Sequence, residues 1–172
     1  LFLNKRDKAI AALKDVLSVD PAHELAANSL GFQYGELGEY ELAAEQFQST
    51  LLRHPDDATT HFNLGFIRQK QTRHDDAIAQ FDCAVKSNPA LDRAWFGLGM
   101  SYAALDRRDA AITAFERAAK LQPMNPHALY ELGIQHHALG QTDKVAEVVD
   151  RLKQFDPKAT AQLLAATQSR TI

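Results

Sequence analysis

An all-α fold of stacked antiparallel helix pairs, about ten helices in all, is predicted by three observations. Pro21, Pro55, Pro89, Pro123 and Pro157 follow one another at intervals of 34 residues. The pairs Leu30-Gly31, Leu64-Gly65, Leu98-Gly99 and Leu132-Gly133 recur at the same interval. So do Ala9, Ala43, Ala77 and Ala111, with Val145 in the fifth place, and Phe47, Phe81 and Phe115, flanked in phase by Leu13 and Val149. Four residue classes held in phase at one period mark a repeat protein, in which each unit hides its apolar face only by stacking on its neighbours.

The physics of one unit follows from the spacing. Residues Glu24 to Leu37 and Glu41 to Leu52 are rich in helix formers, and Gly38 between them is a helix stop. Each proline lacks an amide donor and disfavours the helical conformation of the residue before it, so it is expected to end the second helix. The glycine or alanine in mid-helix lets a neighbouring backbone approach, and the aromatic residue near the end of the second helix fills the gap.

With its large residue, Leu-Gly, aromatic, Ala, aromatic, Ala and Pro at fixed offsets, this pattern resembles the tetratricopeptide repeat (TPR). Trp95, Leu98, Gly99, Tyr102, Ala111, Phe115, Ala118 and Pro123 match every offset. The resemblance covers almost the whole chain and implies a right-handed α-solenoid, a TPR superhelix forming a single domain over 1–172.

Taken in order, residues 1–23 read as the second helix of an earlier repeat behind a three-residue stub of its first helix. The face formed by Ala9, Leu13 and Val16 is expected to pack on the helix at 24–37. It should leave an exposed apolar edge unless upstream residues cover it. Complete repeats follow at 24–57, 58–91, 92–125 and 126–159, and 160–172 reads as one closing helix. The second repeat places His61 and Arg68 where the pattern wants large apolar and aromatic groups; Arg68 is expected to lay its stem on the core and keep its head wet. In the fourth repeat Val145, Val149 and Leu152 replace Ala, Phe and Ala, an exchange that roughly conserves volume.

Composition narrows the function. The 172 residues hold 19 Lys and Arg against 22 Asp and Glu, and 45% are hydrophobic. A net charge of −3 carries no basic footprint, so no nucleic-acid surface is expected. No run of about 18 apolar residues could span a bilayer. The single cysteine, Cys83, excludes an internal disulfide and any multi-cysteine metal site, leaves the compartment open, and reads as a structural or idle thiol. The start Leu1-Phe2-Leu3 lacks a methionine and the marks of a signal peptide, as expected of a fragment or a processed product.

No catalytic constellation is found. His127 and Glu131 are four apart on one helix face, but no third ligand falls at the next turn. His136 and His137 point to different faces, and the paired-histidine zinc signature is missing. The seven histidines therefore read as solvated, no metal or other cofactor is expected, and no glycine-rich phosphate loop occurs. The chain is expected not to be an enzyme.

Function is then expected in a surface. The resemblance implies a concave groove lined by the first helix of each repeat through repeat positions 2, 5, 6, 9, 12 and 13. Position 5 gives Asn28, Phe62, Phe96 and Tyr130, and position 9 gives Phe32, Phe66, Met100 and Ile134. These positions are one turn apart on one face, so an apolar ladder across the four repeats is expected. The position 5 aromatics could also pack on a neighbouring repeat, whereas position 9 commonly holds asparagine in the family. Asn63, Lys70 and Arg93 stand beside the ladder, with Gln69 and Glu131.

The expected partner is a protein or peptide ligand, in the form of an apolar peptide or an amphipathic helix. The family's carboxylate clamp for acidic chaperone tails needs lysine and asparagine at positions 5 and 9 of one repeat, where this chain has Asn28 and Phe32, or Phe62 and Phe66. Its asparagine ladder is missing too, since position 6 reads Ser29, Asn63, Gly97 and Glu131. Two alternatives stand beside this one. The module could self-associate into a homo-oligomer through the groove or the open N-terminal edge, or serve as a regulatory or targeting appendage of a larger protein.

Overall fold

The structure, a computed structural model, describes residues 2–168, with side chains from residue 5 onward. Among the described residues the chain forms ten helices: α1 (Phe2–Val19), α2 (Glu24–Leu37), α3 (Tyr40–Leu51), α4 (Ala58–Lys70), α5 (His74–Ser87), α6 (Asp92–Ala104), α7 (Arg108–Leu121), α8 (Pro126–Ala138), α9 (Thr142–Lys153) and α10 (Pro157–Gln168). They divide into two compact units, residues 1–89 and 90–172. In the first, α2 pairs with α3 and α4 with α5, α3 packs on α4, and α1 lies on α2. In the second, α6 pairs with α7 and α8 with α9, α7 packs on α8, and α10 closes on α8 and α9.

The helix ends are set by local chemistry. Asp57 Oδ2 accepts from Thr60 N–H at 2.8 Å at the start of α4, and Asp156 Oδ1 accepts from Ala159 N–H at 2.8 Å at the start of α10, each satisfying an amide the helix leaves unpaired. First helices end on a left-handed residue at one repeat position: Gly38 (φ 78°), Thr72 (φ 59°), Asp106 (φ 57°) and Gly140 (φ 69°). The amide after each reaches back five residues, Glu39 to Tyr34 and Arg73 to Arg68 at 2.9 Å, Arg107 to Tyr102 at 2.9 Å and Gln141 to His136 at 3.0 Å. This is the Schellman closure, which occupies carbonyls the last turn would otherwise leave open.

The prolines behave as expected at 21, 55, 89 and 123, each lying beyond the last turn of the preceding helix. Pro157 does otherwise. It opens α10, where a missing amide donor costs nothing because first-turn amides have no helical partner. The closing helix therefore begins at Pro157 rather than at 160, and positions 169–172 lie outside the described residues.

Each unit is held by close contacts at the repeat glycines. A Cβ built on Gly31, Gly65 or Gly99 would come within 2.8 Å, 2.8 Å and 2.5 Å of the rings of Phe47, Phe81 and Phe115, so each ring occupies the space that glycine leaves open. Ala43, Ala77 and Ala111 are fully buried beside them. Gly133 differs: its space is filled by Leu163 of α10, at 2.6 Å, and not by the in-phase Val149.

The N-terminal helix corrects two expectations. Ile10, Leu13 and Leu17 pack on the core of the first unit, whereas Ala9 and Val16 are exposed, Val16 by 39%. A second helix of a complete repeat is contacted from two sides. Here, among the described residues, α1 packs chiefly on α2, and the 10, 13, 17 stripe is the one turned to that core. Residues 2 and 3 are the first turn of α1 rather than a separate stub, and Leu1 lies outside the described residues.

Candidate functional site

In the first unit the groove candidates sit on α2 and α4. Thr60 Oγ1 donates to Asn28 Oδ1 at 3.1 Å across the two helices. A Cβ on Gly35 would come within 2.9 Å of Ile67 Cδ1, so the glycine admits that side chain. These contacts fix α2 beside α4. On the pair thus fixed, Phe32 is 56% exposed and Phe66 43% exposed. The ammonium of exposed Lys70 stands 5.1 Å from the centre of the Phe66 ring, close enough for the ring face to attract it. Phe62 is half-buried, with its ring 5.9 Å from that of Phe81, so part of its surface already serves the core. Asn63 is half-buried beside it.

The second unit is less open at the same repeat positions. Phe96 is half-buried against Phe115, ring centres 5.6 Å apart. Met100, Tyr130 and Ile134 are half-buried and pack on the core of this unit, while Arg93 is exposed. Burial pushes the Glu131 carboxyl above the usual carboxylate range, and the nearby His127 only partly offsets this.

One apolar group escaped the sequence reasoning. Leu25 is 72% exposed at repeat position 2 of α2. The signal for it was available, because a large apolar residue at a position that the family resemblance assigns to a groove is the same kind of sign that singled out Phe32.

The histidines correct a further expectation. His23, His54 and His127 are exposed, but His136 is only 6% exposed, with Nδ1 2.6 Å from Gln141 Oε1. His61 is half-buried, with its ring held between the Gln80 side chain at 2.9 Å and the Pro55 carbonyl at 2.8 Å. The reason lies in the repeat: His136 occupies the place that Tyr34 and Tyr102 fill in the first and third repeats, a place turned toward the core. Arg68, at that place in the second repeat, is half-buried and donates from Nη1 to Gln71 Oε1 at 2.9 Å. Cys83 is half-buried. Among the described residues no group of three or more His, Cys, Asp or Glu side chains is placed to hold a metal ion, and no helix is long and apolar enough to cross a membrane.

The sequence profile of the tetratricopeptide repeat matches residues 34–67, 67–109 and 98–160, well over half of the chain. The chain belongs to the tetratricopeptide repeat family. The fold agrees with those of solved TPR proteins. It matches MamA over 95% of this chain and 93% of that one, with a TM-score of 0.84 and 22% identity. It matches YrrB, a TPR protein with an unusual peptide-binding site, over 96% of this chain and 85% of that one, with a TM-score of 0.80 and 22% identity. The first TPR of Spaghetti (RPAP3), bound to the HSP90 peptide SRMEEVD, aligns with 68% of this TPR chain and 93% of its own, at a TM-score of 0.67 and 23% identity. No curated protein sequence matches the chain. TPR proteins are repeat scaffolds and generally non-catalytic.

Proposed function

We propose that the chain is a non-catalytic interaction scaffold whose first-helix faces bind an apolar peptide or an amphipathic helix of a partner protein. The observation that carries this is the exposure of Phe32 and Phe66, 56% and 43%, at one repeat position of two adjacent helices. Large apolar groups held wet in register favour an apolar ligand. Under this reading Phe62, Asn63 and Lys70 border the site in the first unit. Arg93, Phe96, Met100, Tyr130 and Ile134 supply the corresponding surface of the second, in the repeat frame 24–57, 58–91, 92–125 and 126–159. The peptide-binding site of YrrB and the peptide on RPAP3 support a peptide ligand. An acidic tail like SRMEEVD is not the expected one, because neither Asn28 with Phe32 nor Phe62 with Phe66 supplies a lysine for its carboxylates.

Magnitudes bound the affinity. Burial of each large apolar side chain is worth about 1.5–3 kcal/mol. Four or five engaged groups give about 6–15 kcal/mol gross, set against an association cost of about 4–15 kcal/mol, so micromolar binding, about −8 kcal/mol, lies toward the favourable end of what remains.

The test is selection from a displayed random-peptide library, followed by titration of the winners against wild type and against the double variant Phe32→Glu, Phe66→Glu. The expected winners carry apolar residues at helical spacing, and the variant loses at least tenfold in affinity while its helical circular dichroism is unchanged. Winners that are uniformly acidic and apolar-poor, or that bind the folded variant as well as wild type, would sink the proposal.

A second reading rests on α1, whose Ala9, Ala12 and Val16 are exposed along one side. In that reading a second copy covers this edge. Light scattering after size exclusion then gives a dimer that Val16→Glu dissociates; a wild-type monomer at tens of micromolar removes this reading.

A further inference from the structure

The second unit carries a hollow that the groove reading leaves unused. Between α7 and α9, both of which pack on α8, lies an open cavity of about 430 Å³. That volume is within the range of ligand sites, about 300–1,000 Å³. Leu132 of α8 and Pro123 of the α7–α8 connection give it apolar surface, and His136 lines it as well. His136 stands where the first and third repeats have Tyr34 and Tyr102, and a phenol reaches further than an imidazole, so a tyrosine at 136 would extend into the space that His136 lines.

Its rim is charged unevenly. Lys120, Lys144 and Arg151 face Glu116 and Glu147 around the opening. Lys144 is already committed, because its ammonium bonds both Glu147 oxygens, at 2.9 Å and 3.1 Å. Among the described residues neither Lys120 nor Arg151 has an ion-pair partner. His136 adds a buried polar ring. Its Nδ1 lies 2.6 Å from Gln141 Oε1, so that nitrogen is already engaged within the unit.

We propose that this hollow binds an aryl phosphate group, either free or on a phosphotyrosine peptide. The ring lies against Leu132 and Pro123, and the phosphate is held by Lys120 and Arg151. Two uncommitted cations outweigh the one uncommitted carboxylate on the rim, Glu116, which leaves a net positive opening for an anion; the guanidinium fork bonds two of its oxygens at once, and the apolar floor selects against inorganic phosphate. The site lies on helix faces other than those carrying Phe32, Phe66, Phe96 and Met100, so it stands or falls apart from the groove proposal.

The test is an amide-shift titration of the full chain by NMR with phenyl phosphate, and with phenol and inorganic phosphate as controls. Phenyl phosphate is expected to saturate in the millimolar range, with its shifts centred on residues 120, 132, 136 and 151, and each control to bind at least tenfold more weakly. The double variant Lys120→Gln, Arg151→Gln should lose at least tenfold in affinity. His136→Tyr, which restores the phenol of the sister repeats, should fill the hollow and abolish binding with the fold intact. If that variant does not fold, the Lys120, Arg151 pair decides alone. A phosphotyrosine peptide that binds tenfold tighter than phenyl phosphate assigns the site to a protein ligand, and parity assigns it to a small molecule. Shifts that do not saturate, that centre elsewhere, or that persist in the folded Lys120, Arg151 variant overturn the proposal.

Discussion

The first three complete repeats and the fourth solve one packing problem in two ways. In the first three, a glycine of the first helix faces a phenylalanine of its own second helix: Gly31 with Phe47, Gly65 with Phe81 and Gly99 with Phe115. In the fourth, Gly133 faces Leu163, which comes from the closing helix, while Val149 is buried elsewhere in the same core. A shorter side chain in phase thus leaves a space that a later helix fills. The closing helix is thereby part of the fourth repeat's core rather than an external cap. The strongest way to break this comparison is to delete the two fillers. Phe115→Ala should cost about 3–5 kcal/mol and Leu163→Ala about 2–5 kcal/mol in urea unfolding, both from lost burial and the cavity left behind. Val149→Ala should cost clearly less than Leu163→Ala. If Val149 were the true filler the order would reverse.

Adding a methyl group on the glycine side sharpens the same contrast. Gly99→Ala forces a Cβ to within 2.5 Å of the fully buried Phe115 ring, which has nowhere to turn. Overpacking of this kind costs about 1–3 kcal/mol, against which alanine returns about 1 kcal/mol of helix propensity. Gly133→Ala meets the terminal methyl groups of Leu163, on a helix that ends the described chain, and these can turn aside more readily than a ring. Thermal melts should therefore show a larger fall in Tm for Gly99→Ala than for Gly133→Ala, and equal falls would mean that Leu163 is as rigidly held as Phe115.

The legibility of the chain follows the same division. Wherever the repeat is in phase, the helices and their close contacts could be read directly, since proline, glycine, alanine and phenylalanine each have a geometric reason to stand at one offset. The contact of Leu163 with Gly133 was hidden because the filler lies outside the frame that Val149 occupies. The packed stripe of α1 was misplaced by one residue at each end, because a helix packed chiefly on one neighbour turns a different face inward from a helix packed on two. His136 was misjudged through its side-chain type, although its place in the register, shared with Tyr34 and Tyr102, pointed inward. At the candidate site, the apolar residues at position 9 stood out because the family commonly has asparagine there. How far Phe62 and Phe96 are withdrawn against Phe81 and Phe115 could not be read, since position 5 lies on the border between the exposed face and the core.

The smallest effect concerns the turns that close the first helices, where the repeats divide differently. The first and fourth use Gly38 and Gly140 at the left-handed position, and the second and third use Thr72 and Asp106. An L side chain there costs about 1–2 kcal/mol through the clash of Cβ with the following carbonyl, and a β-branched one has the fewest ways to relieve it. Thr72→Gly should therefore stabilise the protein by about 1 kcal/mol, after part of the gain is lost to the greater freedom of glycine in the unfolded chain. Asp106→Gly should gain less, because Asp106 Oδ1 accepts from Arg108 Nη2 at 2.6 Å, whereas the Thr72 hydroxyl bonds only the adjacent Gln71 carbonyl. The same Arg108 also donates to the buried Gln135 at 3.1 Å, so losing the aspartate loosens a group that satisfies the core of the second unit. A gain at Asp106 equal to or above that at Thr72 would show that the surface ion pair contributes nothing and that backbone strain alone separates the four turns.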